Sequence, residues 1–399
     1  ARYRFAHALF QQYLYNDLSE GERALLHGEI AEALEALYQG DSHAIVAQLA
    51  HHYARAGIAD KAIEYLDQAG DRARLAYAHQ AAIDHYRRAV GFMREQERYG
   101  EAARTLMKLG LTCHNAFRFS EARQAYDKGF DLWQQAARTA PAAALPSAPH
   151  ALRVLGYDCS DPVTLDPAFA VDGSSNTAIG HLFGGLAALS PEHNVVPDIA
   201  QRWDVLEGGR TYVFHLRDDV RWSDGLLLTA GDFEYAWKRI LDPATGSPRA
   251  DHFFSIRGAR AYHQGEESGP RRVGVRAVDD RTLLVELEDP SSDLLYDVTG
   301  AWTVAVPRHA VQAHGRAWAE PDRLVTSGPF CLVDWERGRS AVYERNPTYY
   351  GRFTGNLERV ETVFGTKEQH ILALELYEQD QLDVLEYGTQ DLTEWTRAR

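Results

Sequence analysis

Thr211 to Pro248 reads TYVFHLRDDVRWSDGLLLTAGDFEYAWKRILDPATGSP. Tyr212, Phe214 and Leu216 alternate with Thr211, His215 and Arg217, the period of a half-buried strand. Ser223-Asp224-Gly225 is turn chemistry, because Asp bonds its own backbone and Gly supplies a positive φ. Thr229 stands three residues before Asp232, an acidic relative of the capping box that opens a helix. Phe233, Trp237 and Ile240 follow at helical spacing, and Asp242-Pro243 ends the helix. The stretch predicts a strand, a turn and a capped helix, and therefore an α/β unit.

The wording of this stretch says more than its pattern. Trp222, Ser223, Asp224, Gly225, Thr229, Ala230, Asp232, Phe233 and Trp237 closely resemble the signature of the solute-binding proteins of oligopeptide and dipeptide ABC transporters. Further matches lie on both sides, in the family's order. Upstream are Leu165-Asp166-Pro167, His181 to Leu186 and Val196 to Ala200 with Trp203. Gly184 is a departure, since the family often has Glu there. Downstream are Val275 to Leu287, Thr326 to Phe330, and Glu344 to Pro347 with Tyr349-Tyr350. Together they cover about residues 152–386.

The resemblance implies a periplasmic-binding-protein-like (type II) α/β fold, in which two lobes close on an extended peptide. The peptide backbone is bonded much like an added strand, and water-filled pockets tolerate varied side chains. It also implies an acidic residue beside the ligand shortly after Leu165-Asp166-Pro167. Asp172, with Gly173 and Ser174, is the nearest match, although Asp172-Gly173 reads equally as a surface turn. A second ligand-side segment follows Ser247-Pro248, where His252 and Phe253 stand in place of the Tyr favoured by peptide-binding members. The class of ligand therefore stays open. In the family the chain runs on past the region equivalent to Gln379–Glu386 into a second lobe. The resemblance thus implies one lobe at 151–399, with a smaller subdomain at about 188–325 and the second lobe absent. Such a piece is expected to bind peptide weakly or not at all by itself.

Residues 1–138 have a different character. Leu25, Leu26, Ile30, Ala33, Leu34 and Leu37 form an apolar stripe at helical spacing over Glu22–Tyr38. Ala62-Ile63-Glu64-Tyr65 with Ala69 recurs as Ala82-Ile83-Asp84-His85-Tyr86 with Ala89, and more loosely at Ala122–Tyr126. Gly57, Gly70 and Gly110 fall near expected helix ends. The segment resembles tetratricopeptide-type helical repeats with irregular spacing. Its first residues are similar to the segment that follows the ATPase core of large bacterial signalling ATPases. Ala136 to His150, rich in Ala and Pro, reads as a boundary, with the linker proper at 139–150. Leu152–Tyr157 is expected to be the first strand after it.

Charge separates the two parts. The chain has 399 residues and a net charge of −15. Residues 1–150 hold 17 basic and 18 acidic side chains, the remainder 25 and 39. An acidic C-terminal module argues against a nucleic-acid partner, because phosphate binding needs a basic face. No run of eighteen apolar residues occurs, so no membrane span is expected.

Three cysteines, Cys113, Cys159 and Cys331, show no metal spacing. Motifs for phosphate loops, zinc, nucleophilic serine or dinucleotides are absent. His51 and His52, adjacent, are expected to point to different sides of a helix. No metal, cofactor or catalysis is expected, and the expected partner is a peptide or similar solute. An ABC permease or an upstream ATPase domain is a further possible partner. The missing signal segment and the fused helices favour a cytoplasmic sensor over a periplasmic or cell-surface receptor. The competing reading is a helical interaction scaffold carrying a vestigial lobe.

Overall fold

The computed structural model describes residues 8–38, 45–139, 150–155, 160–266, 269–351, 353, 356–364, 377, 379 and 381–384. Residues 156–159, including Cys159 and the end of the expected strand Leu152–Tyr157, lie outside these, as do residues 140–149 of the expected linker. The chain forms two compact units, Ala1–Ala140 and Pro141–Arg399.

The first unit is helical: α1 (Ala8–Asp17), α2 (Glu20–Leu37), α3 (Val46–Ala56), α4 (Ala59–Leu75), α5 (His79–Glu95), α6 (Tyr99–Asn115) and α7 (Phe119–Thr139). From α4 onward the helices start every twenty residues. The repeat expected to be irregular is regular, and Ala62, Ala82, Ala102 and Ala122 all have no exposed surface. Each turn has the same build. Gly57, Tyr77, Glu97 and Phe117 all have positive φ. The next residue's N–H reaches back five positions, as in Ala78 to Ala73 (2.8 Å), Arg98 to Met93 (2.9 Å) and Arg118 to Cys113 (2.8 Å). This is the Schellman closure of a helix.

Further sequence expectations fail in this unit. Gly57 does cap α3, with φ 72°. Gly70 and Gly110, however, lie inside α4 and α6. A Cβ at Gly70 would enter the Tyr86 ring, and one at Gly110 the Tyr126 ring. They are sockets for the next helix's tyrosine, not ends. The stripe expected to bury α2 also fails: Leu25 and Leu37 are exposed, while His27, Gly28 and Ala31 are buried. Small residues win here because they admit α3 and the turn after it closely, with Gly28 facing Ala56 and Ile58.

The second unit is α/β. It contains β1 (His150–Leu155), α8 (Gly173–Leu182), β2 (Ala187–Leu189), β3 (Val195–Pro197), β4 (Ala200–Leu206), β5 (Thr211–Leu216) and α9 (Ala230–Leu241). Then come α10 (Ala259–His263), β6 (Val275–Asp279), β7 (Thr282–Glu286), α11 (Leu294–Asp297), α12 (Arg308–His314), β8 (Phe330–Glu336), β9 (Ser340–Arg345) and β10 (Leu357–Val363). One sheet has the order β1-β10-β9-β8, with β1 parallel to β10 and the rest antiparallel. The other is an antiparallel β4-β5-β7-β6. Tyr212, Phe214, Leu283 and Val285 are buried along β5 and β7, and α9 buries Phe233, Trp237 and Ile240. Gly225 takes φ 89° in the expected turn, and Asp224 accepts from the Leu226 N–H at 3.1 Å. Asp232 accepts from the Thr229 N–H at 2.9 Å, closing one arm of the expected box.

The segments that carry the family resemblance meet at one node. The Ser223 N–H donates to the Thr326 carbonyl (2.7 Å), and Ser223 Oγ accepts from the Thr326 N–H (3.1 Å). The Ser327 and Gly328 N–H groups donate to the Leu182 carbonyl, and Asn346 Nδ2 donates to the Gly328 carbonyl. Asp166 anchors a second cluster: Arg239 grips both its oxygens (2.9 and 2.5 Å), and Trp318 Nε1 donates to Oδ2 (3.0 Å). Gly184 is explained here as well. A side chain there would collide with the Tyr350 hydroxyl, which donates to the buried Asp198 carboxyl. Burial raises the Asp198 pKa, against hydrogen bonds from Tyr350 and the Gly185 N–H.

Candidate functional site

Asp172 is the N-cap of α8, in extended backbone, and its Oδ1 accepts from the Ser175 N–H at 2.7 Å. This is a helix cap rather than a free turn. Its other oxygen, Oδ2, is buried and has no hydrogen-bond partner among the described residues. Gly173 is the first residue of the helix. Ser174 is buried, and its Oγ lies 2.9 Å from Ser160 Oγ.

The second predicted segment docks beside this helix start. Ser247 Oγ donates to the Ala168 carbonyl (2.6 Å), and Arg249 Nε donates to the Ala170 carbonyl (2.7 Å). His252 and Phe253 then separate. Phe253 turns inward against Trp237, centroids 5.4 Å apart, and is buried. Placed in the core, it is a support rather than a contact residue. His252 is exposed and stacks on Trp302 at 4.7 Å. The Arg249 guanidinium lies 5.0 Å over the same indole and 3.3 Å from His252 Nε2.

Trp302 was not legible as a site residue, since nothing in its sequence neighbourhood marks it. Its position comes from the opening stretch: Trp237 Nε1 donates to the Thr303 carbonyl at 2.7 Å, fixing the 3-10 turn Ala301–Thr303. This turn packs on α8. Trp302 Nε1 and Asn176 Oδ1 are also buried without a hydrogen-bond partner among the described residues. Asn176 is one helical turn from Asp172, so both sit on one face of α8. Asp297, near His252, has its pKa raised by burial and by Asp293, with His252 opposing.

Asp172 and Asn176 on α8, and Trp302 on the turn that packs on α8, thus carry a carboxylate oxygen, an amide oxygen and an indole N–H that are buried without partners among the described residues, and the Trp302 indole also bears the cation–aromatic stack. Groups of this kind suit a ligand with both donors and acceptors, because a buried polar atom left unpaired is costly. Among the described residues no group of three His, Cys, Asp or Glu side chains is arranged to hold a metal ion. No described helix is long and apolar enough to cross a membrane. Cys113 and Cys331 are free thiols.

Residues 194–397 match the family described as bacterial extracellular solute-binding proteins, family 5 (middle). The chain belongs to that family. It is 37% identical over 204 residues to the probable deoxycholate-binding periplasmic protein of Escherichia coli (strain K12), covering 51% of this chain and 38% of the relative. It is 35% identical over 202 residues to a dipeptide-binding protein of Bacillus subtilis (strain 168), covering 51% of this chain and 37% of the relative. Among solved structures it is similar to the OppA protein of Burkholderia pseudomallei, with a TM-score of 0.56 and 32% identity. That match covers 60% of this chain and 46% of the other. The chain thus spans under half the length of the relatives it matches.

Proposed function

We propose that the α/β unit, 151–399, binds an oligopeptide or a similar small solute without catalysis, as a receptor in peptide transport or peptide sensing. The carrying observation is the cluster at the start of α8. Asp172, Asn176 and Trp302 offer two acceptors and one donor, the complement of an extended peptide's amines, amides and carbonyls. Ser174 stiffens the helix start, and His252 and Arg249 line the rim. Family membership and the named dipeptide-binding relative support the same reading. The helical unit, 1–138, joined through a linker at 139–150, is then a tetratricopeptide-like module that relays occupancy to a partner such as a permease or an ATPase.

Isothermal titration of the full chain with trialanine, tetraalanine and deoxycholate tests this. Saturable peptide heat is expected, weakened about tenfold or more by Trp302→Ala. Deoxycholate binding without peptide binding would move the ligand class towards that of the Escherichia coli relative. Saturation by none of the three would sink the receptor reading.

A further inference from the structure

We infer a second ligand site in the α/β unit, on the outward face of α9, for a small organic anion with a flat apolar body. A cavity of about 610 Å³ lies there. That is within the size range of small-molecule pockets, roughly 300–1,000 Å³. Its walls come from α9, the turn after it, α10 and α12.

The charge of this wall runs against that of its unit. Lys238, Arg239, Arg308 and Arg316 line it, against the carboxylates Glu234 and Asp242. Yet residues 151–399 hold 25 basic and 39 acidic side chains. Two of the cations are already spoken for. Lys238 pairs with Glu234 at 2.6 Å, and Glu234 also accepts from the Ala277 N–H at 2.8 Å. Arg239 is held by the buried Asp166. Asp242 is occupied as well, accepting from the Ala244 N–H at 2.9 Å. Arg308 and Arg316 have no carboxylate within ion-pair distance among the described residues. Each is exposed and rests on a ring: Arg308 is 5.6 Å over Tyr235, and Arg316 is 5.2 Å over Phe169. Phe169 carries the Arg239 guanidinium as well, at 5.8 Å.

Two guanidinium groups without counter-ions, presented by aromatic faces, make a preformed anion clamp. Arginine suits this role, because its planar fork bonds a carboxylate through two N–H groups while its face still stacks. Phe169, Tyr235 and Tyr262 supply the apolar floor for the body of the ligand. Inorganic phosphate fills only the clamp; a planar carboxylate fills both clamp and floor. The site uses none of the residues assigned to the peptide cluster, so the two readings stand or fall separately.

The test uses the full chain, with 2-naphthoate, its neutral amide and inorganic phosphate titrated calorimetrically, and trialanine as the control for the other site. Saturable 2-naphthoate binding is expected, at least about tenfold tighter than the amide, since a charge-assisted bond is worth about 1.5–3 kcal/mol. The double variant Arg308→Gln/Arg316→Gln should lose that preference while its Tm and its trialanine response stay those of the parent, because both side chains are exposed. Equal binding of acid and amide, phosphate binding with no gain from the naphthyl body, or undiminished naphthoate binding by the double variant would each overturn the assignment. Because exchange of two arginines also lowers overall positive charge, Arg271→Gln/Arg272→Gln serves as a second variant, which should bind like the parent.

Discussion

The helical unit and the α/β unit solve the packing problem in opposite ways. In the helical unit the seams are local and repeat: at every second one a glycine on one helix receives a tyrosine from the next, as Gly70 receives Tyr86 and Gly110 receives Tyr126. In the α/β unit the decisive contacts are long-range and unique. Ser223 meets Thr326, Gly328 meets Leu182, and Asp166 meets both Arg239 and Trp318. Damage to a repeated seam should therefore be partial, and damage to a unique node should be severe.

The largest expected effect is at Asp166. Asp166→Ala leaves Arg239 buried without its counter-ion and Trp318 Nε1 without an acceptor. A loss of about 3–5 kcal/mol is expected in chemical denaturation, with hydrogen exchange rising in the α/β unit alone. A loss below about 1 kcal/mol would erase the contrast between the units. Gly328→Ala comes next. Its Cβ would strike the backbone of Leu182 and Phe183, which cannot swing aside as a flexible side chain would. About 3 kcal/mol is expected, the upper end for overpacking.

Gly110→Ala should cost less, about 1–2 kcal/mol, because Ala's better helix propensity offsets part of the collision with Tyr126. The added exchange should stay within α6 and α7. A stabilised Gly110→Ala protein would show that the tyrosine socket is soft.

The smallest effect concerns pH. His27 Nδ1 lies 2.8 Å from His52 Nδ1, and the His51 ring touches both. Tyr15 from α1, Arg55 from α3 and Arg88 from α5 complete the surroundings. Burial lowers the pKa of all three histidines below the ordinary 6.5, helped by the neighbouring cations and by the histidines themselves. The unfolded chain then binds protons more readily than the folded one. The stability these groups contribute is present in full above 6.5 and falls away as pH drops below it. Melting followed by helical circular dichroism from pH 7.5 to 5.5 should show the decline, and His27→Phe should flatten it. An unchanged slope in that variant would remove the cluster as its cause.

The two units were also unequally legible. The strand over Thr211–Leu216, the Asp224-Gly225 turn and the α9 helix followed from alternation, turn chemistry and spacing, which act within a few residues. The node those motifs form did not, because nothing local pairs Ser223 with Thr326. In the helical unit the twenty-residue recurrence was partly visible at Ala62, Ala82 and Ala122. The buried face of α2 was missed, since apolarity pointed to Leu25 and Leu37 whereas close approach selected Gly28 and Ala31. His51 and His52 were expected to diverge, yet His27 from a neighbouring helix draws both rings together. At the candidate site, resemblance nominated Asp172 but gave neither its capping bond nor its orphan oxygen. Trp302 depends on a hydrogen bond between Trp237 and the Thr303 carbonyl, 66 residues away, and no spacing rule reaches that far.

The turns at Gly57, Tyr77, Glu97 and Phe117 share one backbone shape at one interval, while the Gly–Tyr sockets recur only at every second turn. Growth of this unit is therefore quantised. Duplicating or excising forty residues preserves each turn, each socket and the direction of the final helix. A change of twenty keeps the turns but reverses that helix and mispairs a tyrosine with a residue that has no room for it.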